Sequence, residues 1–133
     1  MMDNIKPSYY SPLVLAYIGD SVYELFVREK LIFQHADMPP NKLHRLSITH
    51  VSAHAQSNSM LVIESMLNDE ELSVYKRGRN AKSATVPKNA DVADYRRATG
   101  FEALIGYLYL SGNKERLNEL MEIAYTNTIN NKN

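Results

Sequence analysis

Ser11-Pro12-Leu13-Val14-Leu15-Ala16-Tyr17-Ile18-Gly19-Asp20-Ser21-Val22-Tyr23-Glu24-Leu25 is the stretch from which the fold can be read. Ser11 followed by Pro12 is a favourable N-cap and first-position pair, so a helix should open here and run to about Phe33. Leu13 to Ile18 is apolar on every side, which suits a helix packed in the middle of a domain. At 100° per residue, Asp20 shares its face with Leu13, Ala16 and Val27, at the margin of an apolar stripe. Glu24 and Arg28 flank it on the polar side. Gly19 costs such a helix roughly 1 kcal/mol relative to Ala, so it needs a reason. Either Gly19 admits another helix or a ligand beside the carboxylate, or it merely relieves a helix crossing while Asp20 forms a partly buried ion pair.

Further helices follow. After Met38-Pro39-Pro40 the pattern predicts a second helix from about Asn41 to Met66, with Leu43, Leu46, Val51, Ala55 and Leu61 inward. Asn68 with Glu71 reads as a capping box for a third helix ending near Gly78. Residues 79 to 88 lack helical periodicity, contain Pro87, and are expected to form a loop. A fourth helix should start near Asp91 and run to Leu110. Gly112 stops it, and a fifth runs from about Asn113 to Ile129 before a polar, frayed tail from Asn130 to Asn133. No alternating run bounded by hairpin turns is present, so the fold class is all-α.

The chain has 133 residues and a mass of 15.2 kDa, enough for one domain with its core from about 11 to 129. Cysteine is absent, which excludes disulfides, thiolate metal sites and a cysteine nucleophile. No signal-peptide segment opens the sequence, and no apolar run reaches the ~18 residues of a membrane span. A soluble cytoplasmic protein without a membrane role is expected. Fifteen Lys and Arg balance fifteen Asp and Glu. Between Leu72 and Ala90, however, Lys76, Arg77, Arg79, Lys82 and Lys88 stand with no acid among them, leaving 10 basic against 15 acidic residues elsewhere. Such a segment can face a polyanion. Gly78 would allow close backbone approach to it, and Asn80 and Ser83 would supply neutral donors to phosphate.

Phe101-Glu102-Ala103-Leu104-Ile105-Gly106-Tyr107-Leu108 sets a lone carboxylate among core-type residues. A buried carboxylate must meet a cation, either a basic side chain or a metal. Arg96 and Arg97 point away from it on the same helix. Asp20 and Glu102 together would make an oxygen site for a hard cation such as Mg²⁺, which accepts one or two carboxylates and fills its octahedron with waters and phosphate. Such an ion can polarise a phosphodiester and generate hydroxide for in-line attack.

On these residues the chain resembles the ribonuclease III family. Ile18-Gly19-Asp20-Ser21-Val22-Tyr23-Glu24-Leu25 is similar to the family's signature helix, and Phe101-Glu102-Ala103-Leu104-Ile105-Gly106 to its second acidic motif. The resemblance covers about Ser11 to Leu120. It is closest to the Mini-III group, catalytic domains without an appended double-stranded-RNA-binding domain, for which this chain leaves no room. Val51-Ser52-Ala53-His54-Ala55-Gln56 and Arg77-Gly78-Arg79-Asn80-Ala81-Lys82-Ser83 also look like Mini-III segments.

What the resemblance implies is a ribonuclease III-type helical endonuclease: a homodimeric, Mg²⁺-dependent enzyme for double-stranded RNA, with Mn²⁺ as a substitute. Its role would be trimming the ends of the large-subunit (23S) ribosomal RNA precursor. Asp20 would bind the metal and help position the attacking water, Glu102 would complete the ion site, and neither would need a shifted pKa. RNA contacts would fall to Lys76, Arg77, Arg79, Asn80, Lys82 and Lys88. The sequence departs from full-length bacterial members in having Leu13, Ala16 and Thr99 where those carry further carboxylates. The first two losses resemble the Mini-III pattern. A catalytically silent RNA-binding protein of the same fold and a plain helical interaction module are the alternatives.

Other features have simpler readings. His50 and His54 lack a third ligand and read as surface or partly buried histidines rather than a zinc site. Asp91 and Asp94 suit the first turn of a helix, and Asp91 lies about 16 Å along the helix from Glu102. The nine tyrosines are assigned to core or interface. Met60, Met66, Tyr107 and Tyr109 are candidates for an isologous dimer contact.

Overall fold

The computed structural model describes residues 6–82, 86, 88 and 90–130. Six helices carry the fold: α1 (Pro12–Gln34), α2 (Pro40–Val51), α3 (Ala53–Ile63), α4 (Asp69–Asn80), α5 (Val92–Leu110) and α6 (Lys114–Asn130). Short 3₁₀ turns lie at Pro7–Tyr9 and Glu64–Met66, and no strand occurs among the described residues. No described helix is long and apolar enough to cross a membrane. Ser83, Pro87 and the tail beyond Asn130, on which the sequence suggested donors, a loop and fraying, lie outside the described residues.

The helix ends follow local chemistry. The Ser11 hydroxyl accepts from the Leu13 and Val14 amides at 3.2 and 3.4 Å, which starts α1 at Pro12. Asn68 and Glu71 form the expected capping box. Gly112, at φ +72°, ends the α5 segment in the left-handed region that favours glycine.

Two expectations are corrected. The single helix predicted over 41–66 is two helices. Ser52 adopts an extended backbone (φ −62°, ψ 157°), and its hydroxyl caps α3 by accepting from the Ala55 amide at 3.2 Å. The break rephases the segment, so Gln56, Met60 and Ile63 turn inward while Leu61 is exposed. Gly78, in turn, neither stops α4 nor faces solvent. A Cβ there would lie 2.8 Å from Ala103 Cβ and 2.9 Å from Gly100 Cα, so Gly78 is needed where α4 crosses α5. The helix runs on through Arg79 and Asn80.

α5 is the central element. It buries Ala98, Gly100, Phe101, Ala103, Leu104, Ile105, Gly106 and Leu108, and packs against α1, α3 and α4. Its apolar residues thus cover most of its circumference, as expected of a helix enclosed by others. Tyr23 and Phe101 meet edge to face at 5.0 Å in the main core. α6 closes the far side, where the Ser59 hydroxyl donates to the Ala124 carbonyl at 3.2 Å. Arg116 ties α6 to α4 by donating to both Glu71 carboxylate oxygens at 2.9 Å and to the Met66 carbonyl at 2.8 Å.

Candidate active site

The crossing of α1 over α5 builds the site. A Cβ on Gly19 would lie 1.8 Å from the Glu102 carbonyl oxygen, and one on Gly106 would lie 2.0 Å from the Leu15 carbonyl oxygen. The two backbones therefore touch, which only a pair of glycines permits. This contact sets Asp20, the neighbour of Gly19, beside Glu102. Asp20 is exposed, whereas Glu102 is largely withdrawn from solvent. Their carboxyls come within hydrogen-bonding reach of each other.

Glu102 is correspondingly perturbed. Burial, then the Asp20 charge and the hydrogen bond to Asp20, push its carboxyl up from 4.5 to about 8. Gln56 Nε2 acts in the opposite sense by donating to Glu102 Oε2 at 3.5 Å. Both carboxyls were expected to be ionised without any shift. For Glu102 the structure differs: burial first, and then the Asp20 charge beside it, favour the protonated carboxyl when no cation is bound.

Such a pair fits a hard divalent cation. Among the described residues no group of three or more His, Cys, Asp or Glu side chains is placed to hold a metal ion. Two carboxylates alone would suit an ion that keeps several waters rather than one in an all-protein cage. The Thr99 hydroxyl donates to the Tyr95 carbonyl at 2.9 Å. Gln56 carried no assigned role in the sequence. The only hint was an amide within the segment 51–56.

The basic residues divide into groups. Lys76, Arg77 and Asn80 border one shallow concavity with Asp69, Leu72 and Ser73. Arg79 and Lys82 border another with Val86, Tyr95, Arg96 and Thr99, which adds Arg96 to the cations expected there. Thr99 lies one turn before Glu102, so this second groove adjoins the acidic pair along α5. Arg77 has a structural duty as well, donating to the Ser8 and Tyr10 carbonyls at 3.0 and 3.3 Å. Arg79 sits over the Tyr75 ring at 5.6 Å and donates to Asn80 Oδ1 at 3.2 Å. Lys88 is exposed in a turn.

His50 is buried, stacked on Tyr125 at 4.4 Å, with Nδ1 2.5 Å from Thr128 Oγ1. His54 is exposed and pairs with Asp94 at 3.0 Å. Asp91 caps α5 through the Asp94 amide at 3.0 Å. Of the dimer candidates, Met60 is fully buried and Tyr107 donates a hydrogen bond to Glu70, while Met66 and Tyr109 are exposed. A larger apolar stripe, absent from those candidates, runs along α1 through Val14, Tyr17 and Leu25, with Tyr17 81% exposed.

Comparisons with known proteins agree with the fold. Residues 13–113 match the ribonuclease III domain. The chain is 55% identical over 114 residues to the Mini-ribonuclease 3 of Clostridium tetani, covering 86% of this chain and 76% of that protein. It is 52% identical to the Mini-ribonuclease 3 of Brevibacillus brevis, over 90% of this chain and 88% of that protein. A crystal structure of a Fusobacterium nucleatum protein superposes with a TM-score of 0.78 at 31% identity, covering 86% of this chain and 91% of that one.

Proposed function

The chain belongs to the ribonuclease III family and is a ribonuclease III-type endonuclease, and on that premise we propose that it cuts double-stranded RNA using a divalent cation held by Asp20 and Glu102. The substrate would be the base-paired ends of the large-subunit (23S) ribosomal RNA precursor, and the ion Mg²⁺, with Mn²⁺ as a substitute. The meeting of two carboxylates at a backbone-to-backbone helix crossing supports this reading most strongly. When bound, the cation would polarise the scissile phosphate and lower the pKa of a water. Asp20, the more exposed of the pair, would help to orient the attacking water. Glu102 must give up its proton to become a ligand, so binding of the ion and ionisation of Glu102 are linked.

Lys76, Arg77, Arg79, Asn80, Lys82 and Lys88 are proposed as the phosphate contacts. Because A-form RNA is recognised through shape, 2′-hydroxyls and phosphates, such a surface needs no base-reading motif. A homodimer is proposed through the α1 stripe. Val14, Tyr17, Ser21 and Leu25 share one helix face, and the exposed Tyr109 and Leu110 border a groove beside Leu25. An isologous contact would cover this apolar surface with its own copy.

The test uses a transcript carrying the paired precursor ends, beside an unrelated duplex of equal length, each with Mg²⁺ or a chelator. The expected result is Mg²⁺-dependent cutting confined to the precursor stem at defined 5′ ends. Equal, scattered cutting of both duplexes would overturn the precursor assignment. Binding without cutting in either Mg²⁺ or Mn²⁺ would favour a silent RNA-binding role.

A further inference from the structure

Gln56 is almost wholly buried, at 2% exposure, and a buried amide needs a partner. Its Nε2 reaches Glu102 Oε2 at 3.5 Å, the outer edge of hydrogen-bonding range. Its placement is not incidental to loose packing. The Ser52 cap turns α3 so that this residue faces α5. The next residue, Ser57, accepts from Arg97 Nη1 at 3.1 Å, which pins α3 to α5, and Ser59 pins α3 to α6. The helix that carries the amide is thus held from both sides, as the support of an orienting group must be.

The residue type is informative. An Arg or Lys here would bring a permanent positive charge into the place that a cation's field should fill. A Glu would add a third negative charge to a partly dry corner. An apolar side chain would leave the buried oxygen of Glu102 without a donor and its carboxylate plane free to turn. A neutral donor fixes one oxygen and leaves the site negative. We propose that Gln56 is a positioning residue, whose amide holds Glu102 in the orientation that lets this two-carboxylate site bind a divalent cation. The inference rests on the metal-site reading given above. It also explains how a site with Ala16, Leu13 and Thr99 around it can hold an ion with only two carboxylates, because outer partners of metal-binding carboxylates fix their geometry.

Mn²⁺ binding to the purified full chain, measured by electron paramagnetic resonance without RNA, tests this with Gln56→Met and Asp20→Asn beside the wild type. Gln56→Met keeps the volume and removes the donor. It should weaken Mn²⁺ binding by about tenfold to a hundredfold. Metal-free duplex binding should stay unchanged, and the Mg²⁺ concentration for half-maximal cleavage should rise in step. Should Gln56→Met fail to fold, Gln56→Asn, which withdraws the amide by one methylene, carries the same comparison. A folded variant with wild-type Mn²⁺ affinity, while Asp20→Asn loses it, overturns the role of Gln56 alone. Mn²⁺ binding that survives Asp20→Asn unchanged overturns the metal site and this inference with it.

Discussion

Gly19→Ala should damage both the stability and the chemistry of this protein, for one geometric reason. The added methyl would sit 1.8 Å from the Glu102 carbonyl oxygen and 2.8 Å from the Gly106 amide nitrogen, where Cβ contacts under 3.0 Å essentially do not occur. α1 and α5 would have to part by roughly 1.5 Å or more to restore ordinary contact distances. Overpacking costs up to about 3 kcal/mol, and the upper end applies because the obstacle is the backbone of a buried helix rather than a flexible side chain. Alanine's better helix propensity returns about 1 kcal/mol. The net loss of about 2 kcal/mol should lower the thermal midpoint by roughly 6–10 °C in a chain of this size. Parting the helices also parts Asp20 from Glu102, and a 1 Å misplacement can cost about 10²-fold in rate. Circular-dichroism melts and single-turnover duplex cleavage at saturating Mg²⁺, below both midpoints, would measure the two effects. Gly112→Ala is the control. At φ +72° it costs about 1 kcal/mol of backbone strain, and with nothing within 4 Å of the new methyl it leaves cleavage unchanged. A Gly19→Ala protein that melts and cleaves like the wild type would refute the claim that this crossing builds the site.

Glu102 makes the stability of the metal-free protein depend on pH. Below about pH 4.5 its carboxyl is protonated in both folded and unfolded chains. From there to about pH 8 the folded state keeps a proton that the unfolded chain has released, so this group's contribution falls as pH rises and levels off above. Urea midpoints in chelator should show that fall, and Glu102→Gln should remove it and be the more stable protein at pH 8. Arg116→Ala should cost about 3–5 kcal/mol by urea denaturation, because it strips the guanidinium from a Glu71 that is 3% exposed. A loss below about 1 kcal/mol, the value of a surface pair, would contradict that. Tyr17→Glu should shift the protein from dimer to monomer by sedimentation without lowering its helix content, and a monomeric wild type would exclude the α1 contact.

The sequence carried the fold wherever a local rule applied. Ser11-Pro12, the Asn68/Glu71 box and Gly112 each govern their own helix end through bonds or dihedrals confined to a few residues. Ser52 escaped notice because a serine within an apolar helical pattern reads equally as a tolerated interior residue. Only the packing of α3 on α5 and α6 selects its capping conformation. Gly78 and Gly19 illustrate the same limit. Both are glycines next to charged residues, and both serve helix crossings, which spacing along one helix cannot distinguish from an opening for a ligand. Asp20 and Glu102 were legible as a pair through their setting in apolar helices and through the family resemblance. Their perturbed protonation was not, because it depends on how closely two distant segments meet. Gln56 and Met60 belong to the same class, since their burial follows from the phase of α3 after the Ser52 break.

Asp20 and Glu102 are proposed to act together in metal-dependent cutting of duplex RNA. Single-turnover cleavage of a long RNA duplex in Mg²⁺ by wild-type protein and Asp20→Asn, with duplex binding measured on the same samples, tests it most directly. The substitution keeps the shape of the side chain and removes its charge. Binding should survive while cleavage falls by orders of magnitude. Asp20→Asn that cuts at the wild-type rate in Mg²⁺ would contradict it.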